Sequence, residues 1–187
     1  MGKKYNNVQG FFYIIVINIT FLLQCKESTS VNLVPYYCQQ AAKGDPNLSY
    51  DFCRASLEAY PKSQNASLEE LTAISFEMTI SNATSITSRI TKLLGGNNWD
   101  AFARIALKDC YELYSDANSS LHEAVDGLEA KDYYKANIDV SAAMDSSATC
   151  EDGFKEKKGE VSPLTKENNK FFQLTAMILA FITFLKS

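Results

Sequence analysis

The stretch Cys150-Glu-Asp-Gly-Phe154-Lys-Glu-Lys-Lys-Gly159-Glu-Val-Ser-Pro163-Leu-Thr-Lys-Glu167 predicts the end of one helix, a turn and the start of another. Ser162 is a typical helix N-cap, and Pro163 suits the first turn of a helix. Before the turn, an apolar stripe of helical period runs through Ala136, Val140, Ala143, Ser147, Cys150 and Phe154. Two amphipathic helices are therefore expected to meet here.

Two further long helices precede this pair. Ser67-Leu-Glu-Glu70 is a capping box that opens a helix, and Gly95-Gly96 ends it. A helix over about 98–130 follows, and Lys131-Asp132 marks a tight connection to the next helix, with the aspartate as its cap. Because short connections make neighbouring helices antiparallel, the fold class is all-α, with a four-helix up-down bundle over 66–187.

Residues 31–65 predict a helical hairpin and linker in front of the bundle. Two short helices are expected between Val31 and Ala59, joined by the turn Gly44-Asp45-Pro46-Asn47. Asp45 is the expected N-cap of the second helix and Pro46 its first residue.

Residues 1–30 have the pattern of a secretory signal peptide. Lys3 and Lys4 precede an apolar run over 11–23, and cleavage is expected near Ser30. The alternative, a transmembrane anchor, needs ~20 apolar residues and this run is shorter. The rest of the chain, 31–187, carries 15 basic and 21 acidic residues, a formal charge of −6. It has no basic run that would follow a phosphate backbone, so a nucleic-acid partner is not expected.

The C-terminal stretch 171–185 is apolar almost all round, which is typical of a central core helix. A membrane anchor or a lipid-anchor tail that is later removed are the alternatives. With only 15 residues, including Gln173, Thr175 and Thr183, the stretch is short for a span. No membrane contact is therefore expected of the mature chain.

Cys25 falls within the expected signal, which leaves four cysteines and three possible pairings. The turn at 44–47 lies about midway between Cys38 and Cys53, so a hairpin brings them together. Cys110 lies 21 residues before position 131 and Cys150 lies 19 after it, which makes them nearly level on antiparallel helices. The spacing thus favours disulfides 38–53 and 110–150.

The sequence contains no motif that predicts an enzyme. His122 is the single histidine and has no cysteine or second histidine with which to form a catalytic or metal site. Glu151 and Asp152 form an adjacent carboxylate pair, but at a helix end such pairs are usually solvated. Neither GxSxG nor a glycine-rich phosphate loop occurs, so no cofactor is expected.

Several residues could carry modification or contacts. Asn65 is the best N-glycosylation site, Asn47 and Asn118 are further candidates, and Asn82 is expected to stay unmodified because it lies on the buried stripe. Some of the tyrosines could form an interface and others core; these are Tyr36, Tyr37, Tyr111, Tyr114, Tyr133 and Tyr134.

The chain resembles the plant inhibitors of invertase and pectin methylesterase, most closely their pollen-allergen group. The residues that carry the resemblance are Tyr50-Asp-Phe-Cys53, Asp109-Cys110, Ala148-Thr-Cys150-Glu-Asp-Gly-Phe154, Ser162-Pro-Leu-Thr-Lys-Glu-Asn168 and Gln173-Leu-Thr-Ala176. The resemblance implies the same fold and disulfides, an apoplastic location and no cofactor. It also implies 1:1 inhibition by occlusion of the active-site cleft of a cell-wall or vacuolar carbohydrate enzyme.

The resemblance favours invertase, a β-fructofuranosidase, as the target, with pectin methylesterase as the alternative. It places a candidate target-binding turn at Pro163, Leu164 and Thr165, where the Pro-Lys-Phe motif of invertase inhibitors is expected and is absent. In methylesterase inhibitors, the outer faces of the bundle helices cover the enzyme's cleft. A secreted pollen-type binding protein without inhibitory activity is the alternative from another class.

Overall fold

The computed structural model describes residues 32–96 and 98–187, and the expected signal peptide over 1–30 lies outside them. The described part of the chain is helical and contains no strand, which confirms the all-α class. Its elements are α1 (Val34–Gly44), α2 (Tyr50–Glu58), a 3-10 helix (Pro61–Asn65), α3 (Leu68–Gly95), α4 (Ala101–Glu129), α5 (Tyr133–Lys155) and α6 (Thr165–Lys186).

Helices α3 to α6 form the predicted four-helix up-down bundle. Each packs against the next along the chain, and α6 closes the bundle against α3. All six residues of the stripe predicted for α5 are buried. The capping box is present, since the side chain of Ser67 accepts from the Glu70 amide and the Glu70 carboxylate accepts from the Ser67 amide. Asp132 likewise caps α5 by accepting from the Lys135 amide.

Helix α6 is apolar all round because it lies between two cores. One side, with Phe171 and Ile178, packs into the bundle core. The other, with Met177 and Phe181, packs against the hairpin of α1 and α2. The C-terminal stretch is thus a core helix, and among the described helices none is long and apolar enough to cross a membrane.

The two disulfides join the pairs that the spacing favours. Cys38 is bonded to Cys53 across the hairpin, with the two Cα atoms 5.6 Å apart. Cys110 is bonded to Cys150, which joins α4 to α5, with the Cα atoms 4.9 Å apart. All four side chains are buried. The bridges therefore stabilise two separate helix pairs, mainly by restricting the unfolded chain.

Three predicted helix starts are wrong by a few residues. Helix α2 begins at Tyr50 with Ser49 as its cap, because the Asp45 carboxylate accepts from the Asn47 amide in the turn instead. Helix α4 begins at Ala101 with Asp100 as its cap. Helix α6 begins at Thr165, since the Ser162 hydroxyl accepts from the Leu164 amide within the preceding turn. In each case a polar side chain bonds to a nearby backbone amide and delays the start of the helix. Residue spacing alone does not show which of the neighbouring polar residues does this.

Candidate functional site

The predicted target-binding turn has one buried residue between two half-buried ones, and its binding to a target stays a prediction. Leu164 is fully enclosed in the bundle core, so it cannot contact a partner while the fold is intact. Pro163 and Thr165 are half-buried. The Pro163 carbonyl accepts from Arg89 Nη2 at 3.3 Å, and the Thr165 hydroxyl donates to Glu151 Oε1 at 2.8 Å. This turn is tied to α3 and α5.

A buried hydrogen-bonded chain continues from the turn into the core. The Tyr114 hydroxyl donates to Asn168 Oδ1 at 2.8 Å, and Asn168 Nδ2 donates to Glu151 Oε2 at 2.7 Å. Burial, with Glu167 and Glu151 nearby, raises the pKa of Tyr114 above its ordinary value, so the phenol stays protonated. Asp152 pairs with Lys155 at 2.8 Å. The carboxylate pair is therefore engaged in structural contacts.

The exposed part of the connection between α5 and α6 lies before this turn, over 156–161. Lys157 pairs with Asp100 and with Glu160, and its ammonium lies 5.4 Å from the centre of the Phe102 ring. Hydrogen bonds to the two carboxylates raise the pKa of Lys157. Val161 is 75% exposed and contributes an apolar side chain to the surface here.

The structure sorts the tyrosines into core and surface. Tyr114 is core, and Tyr37 and Tyr133 are half-buried against the two cores. The other three are exposed, and Tyr134 at 73% is the most exposed of them. Tyr36 and Tyr111 lie singly on α1 and α4, whereas Tyr134 has an exposed apolar neighbour on its own helix.

That neighbour is Ile138, 49% exposed and one helical turn after Tyr134. Side chains four residues apart on a helix are neighbours, so the two lie on the same exposed face of α5. Lys131 is exposed just before α5 and makes no ion pair within the described part of the chain, whereas Lys135 pairs with Asp139 at 2.6 Å. We refer to Lys131, Tyr134 and Ile138 as the α4–α5 tip. The sequence alone could have identified Ile138 as an exposed apolar residue, since it does not lie on the buried stripe of α5.

A shallow groove of about 270 Å³ lies between α4 and α5 at the other end of α5. Ile105, which is 60% exposed, lines one side of it. Asp109, Asp152 and Glu156 line it as well, which gives the groove an acidic character. It is a second surface with mixed apolar and charged chemistry.

The sequon asparagines differ in exposure. Asn65 and Asn47 are exposed, whereas Asn118 is half-buried. Asn82 is also half-buried, and its Oδ1 is buried without a hydrogen-bond partner. Glycan occupancy at each site stays a prediction. Among the described residues no group of histidine, cysteine and carboxylate side chains could hold a metal ion.

A family model described as "Plant invertase/pectin methylesterase inhibitor" matches residues 32–181. The chain belongs to this family. It is 46% identical to a "Putative invertase inhibitor" of Platanus acerifolia, over 89% of this chain and 92% of that one. It is 36% identical to "Pectinesterase inhibitor 12" of Arabidopsis thaliana, over 84% of this chain and 90% of that one.

A crystal structure of a mutant pectin methylesterase inhibitor from Arabidopsis superposes with a TM-score of 0.69 at 24% identity. The superposition covers 81% of this chain and 96% of that one, and it supports the helical-bundle fold. As a member of the family, this invertase/pectin methylesterase inhibitor is an enzyme inhibitor and not an enzyme.

Proposed function

We propose that the protein is a secreted, apoplastic inhibitor that binds a plant invertase 1:1 and occludes its active-site cleft. The observation that carries this proposal is the 46% identity, over about nine tenths of both chains, to the "Putative invertase inhibitor" of Platanus acerifolia. The predicted signal peptide and the two disulfides support secretion, since disulfides persist in oxidising compartments.

The α4–α5 tip is the surface we propose for the contact. Tyrosine is enriched among the residues that dominate binding energy, because its ring buries a large apolar area and its hydroxyl still finds a partner. Glycoside hydrolases carry a pair of carboxylates in the substrate cleft. Lys131 places an exposed ammonium beside Tyr134 in the chain, which complements such a cleft.

Pre-ordering of the bundle supports tight binding. A bundle whose α4 and α5 are joined by a disulfide loses little conformational entropy on docking. The formal charge of −6 over 31–187 favours a basic enzyme surface and faster encounter. Association is therefore expected to slow as the salt concentration rises, and stopped-flow rates that do not change with salt would argue against steering.

Pectin methylesterase is the second candidate target. The 36% identity to a pectinesterase inhibitor and the absence of Lys-Phe after Pro163 favour it. In that case we propose the α4–α5 groove, with Ile105 on its exposed side, as the contact, because it lies on the outer face of two bundle helices.

A paired inhibition assay decides between these targets. The oxidised protein is titrated against purified plant invertase and against purified pectin methylesterase at acidic pH. We expect inhibition of invertase that Tyr134→Ser weakens and Ile105→Ser leaves unchanged. The reverse pattern on methylesterase would support the second candidate. Inhibition of neither enzyme would contradict both and favour a non-inhibitory binding protein.

A further inference from the structure

We infer that Gly127 is a positioning residue for the α4–α5 tip and sets the direction in which Tyr134 is presented. Gly127 lies two residues before the end of α4, where the first turn of α5 folds back against it. It makes no contact with a target in this proposal and acts through the backbone of α5. Its effect on inhibition rests on the proposed function, but its effect on the tip does not.

The backbone of α5 approaches Gly127 so closely that a side chain there would require its neighbours to shift by a few tenths of an ångström. A Cβ atom at this position would lie 3.1 Å from the Ala136 nitrogen and 3.3 Å from the Asp132 carbonyl oxygen. The third neighbour, at 3.4 Å, is the Ala136 Cα. All three are backbone atoms, which cannot rotate away as a flexible side chain can. Any larger residue therefore has to push the start of α5 outward.

Other contacts hold the turn between α4 and α5 in one conformation. The Asp132 amide donates to the Gly127 carbonyl at 2.8 Å, and the Asp132 carboxylate caps α5. Lys131 has a left-handed backbone with φ of 57°, which fixes the path between the helices. Lys135 pairs with Asp139 at 2.6 Å on its own helix and with Glu123 at 3.5 Å on α4.

Tyr134 and Ile138 project from the first two turns of the helix that these contacts hold. A shift of the backbone at Asp132 and Ala136 therefore moves both apolar side chains together. Because docking depends on the placement of rigid aromatic residues, a displacement of a few tenths of an ångström at the backbone is expected to weaken it. Glycine is a poor residue for a helix interior, and the close approach gives a physical reason for it here.

The test uses two glycine-to-alanine variants of the oxidised full-length mature protein. Gly127→Ala adds a Cβ whose backbone neighbours would have to shift, whereas Gly95→Ala is the matched control at the end of α3, where a Cβ would meet nothing within 4 Å. We expect Gly127→Ala to weaken inhibition of the target enzyme by about tenfold or more, the size of a lost binding contact. Gly95→Ala should leave it unchanged.

A double-mutant cycle with Tyr134→Ser separates positioning from a general loss of structure. If Gly127 acts through Tyr134, Gly127→Ala has little further effect once the ring is gone. An equal loss in both backgrounds would overturn the inference. Asp132→Ala, which removes the cap of the same turn, is the milder variant should Gly127→Ala not fold, and the same cycle applies to it.

NMR of the Tyr134 ring keeps the inference separate from the proposed function. Gly127→Ala should shift the ring resonances, and Gly95→Ala should not. If Tyr134→Ser leaves inhibition intact, the proposed contact surface is wrong and the ring resonances alone decide the positioning role. Unchanged resonances in Gly127→Ala would overturn the inference whatever the protein inhibits.

Discussion

The connection between α5 and α6 and the tip between α4 and α5 lie at opposite ends of α5 and differ in what their side chains do. In the connection, Leu164 is enclosed in the core and Thr165 is hydrogen-bonded to Glu151. At the tip, Tyr134 and Ile138 are 73% and 49% exposed. The side chains of the α5–α6 connection therefore stabilise the fold. Those of the α4–α5 tip leave a surface available for a partner.

The largest effect on stability is expected from Leu164→Ala. The side chain is 0% exposed, so truncation leaves a cavity in the bundle core. The free energy of unfolding should fall by about 2–5 kcal/mol. Urea unfolding of the oxidised protein measures it, with Val161→Ala, at an exposed site three residues earlier, as the control. A change below about 1 kcal/mol would show that the connection is not part of the core.

Tyr114→Phe should have the next largest effect. The variant keeps the ring in the core but leaves Asn168 Oδ1, in a residue that is 3% exposed, without its donor. Loss of a donor to a buried acceptor costs about 1–3 kcal/mol. The matched control is Tyr111→Phe on the same helix, where the tyrosine is 42% exposed. Equal urea midpoints for the two variants would contradict the role of the buried chain.

The apolar period of the sequence was sufficient to predict the bundle, because helices α3 to α6 are long and strongly patterned. The spacing of the cysteines around two turns was sufficient for the pairing that the structure contains. Exposure was harder to predict. The resemblance placed Leu164 in a target-binding turn, yet its side chain is fully buried where the Ser162 hydroxyl accepts from its amide. The close approach at Gly127 has no sequence signal beyond the glycine itself.

A smaller, pH-dependent effect is expected where the connection contacts the start of α4. The Ala103 amide, and then Lys157, lower the pKa of Asp100 by hydrogen bonding to its ionised form. A carboxylate with a lowered folded-state pKa stabilises the fold above its ordinary pKa, and this contribution is lost as the pH falls below about 4. Wild type should therefore be more stable than Asp100→Asn near pH 6, and the difference should shrink as the pH falls below about 4.

Lys157→Gln is the comparison variant for this pH effect. It removes the side-chain donor, so it should reduce the pH-dependent difference without abolishing it, since the Ala103 amide remains. Thermal unfolding across pH 3–6 measures both variants. A wild-type advantage that grows on acidification would contradict the assigned direction of the pKa shift.

The smallest effect on stability is expected at the tip, and there the contrast between the two ends is sharpest. Tyr134→Ser and Ile138→Ser remove side chains that are largely exposed, so each should change the free energy of unfolding by no more than about 0.5 kcal/mol. Both should nevertheless weaken inhibition, whereas a Leu164→Ala protein that is still folded should inhibit normally. A tip variant that unfolds as readily as Leu164→Ala would mean that the apolar surface belongs to the core, because only packed side chains carry that cost.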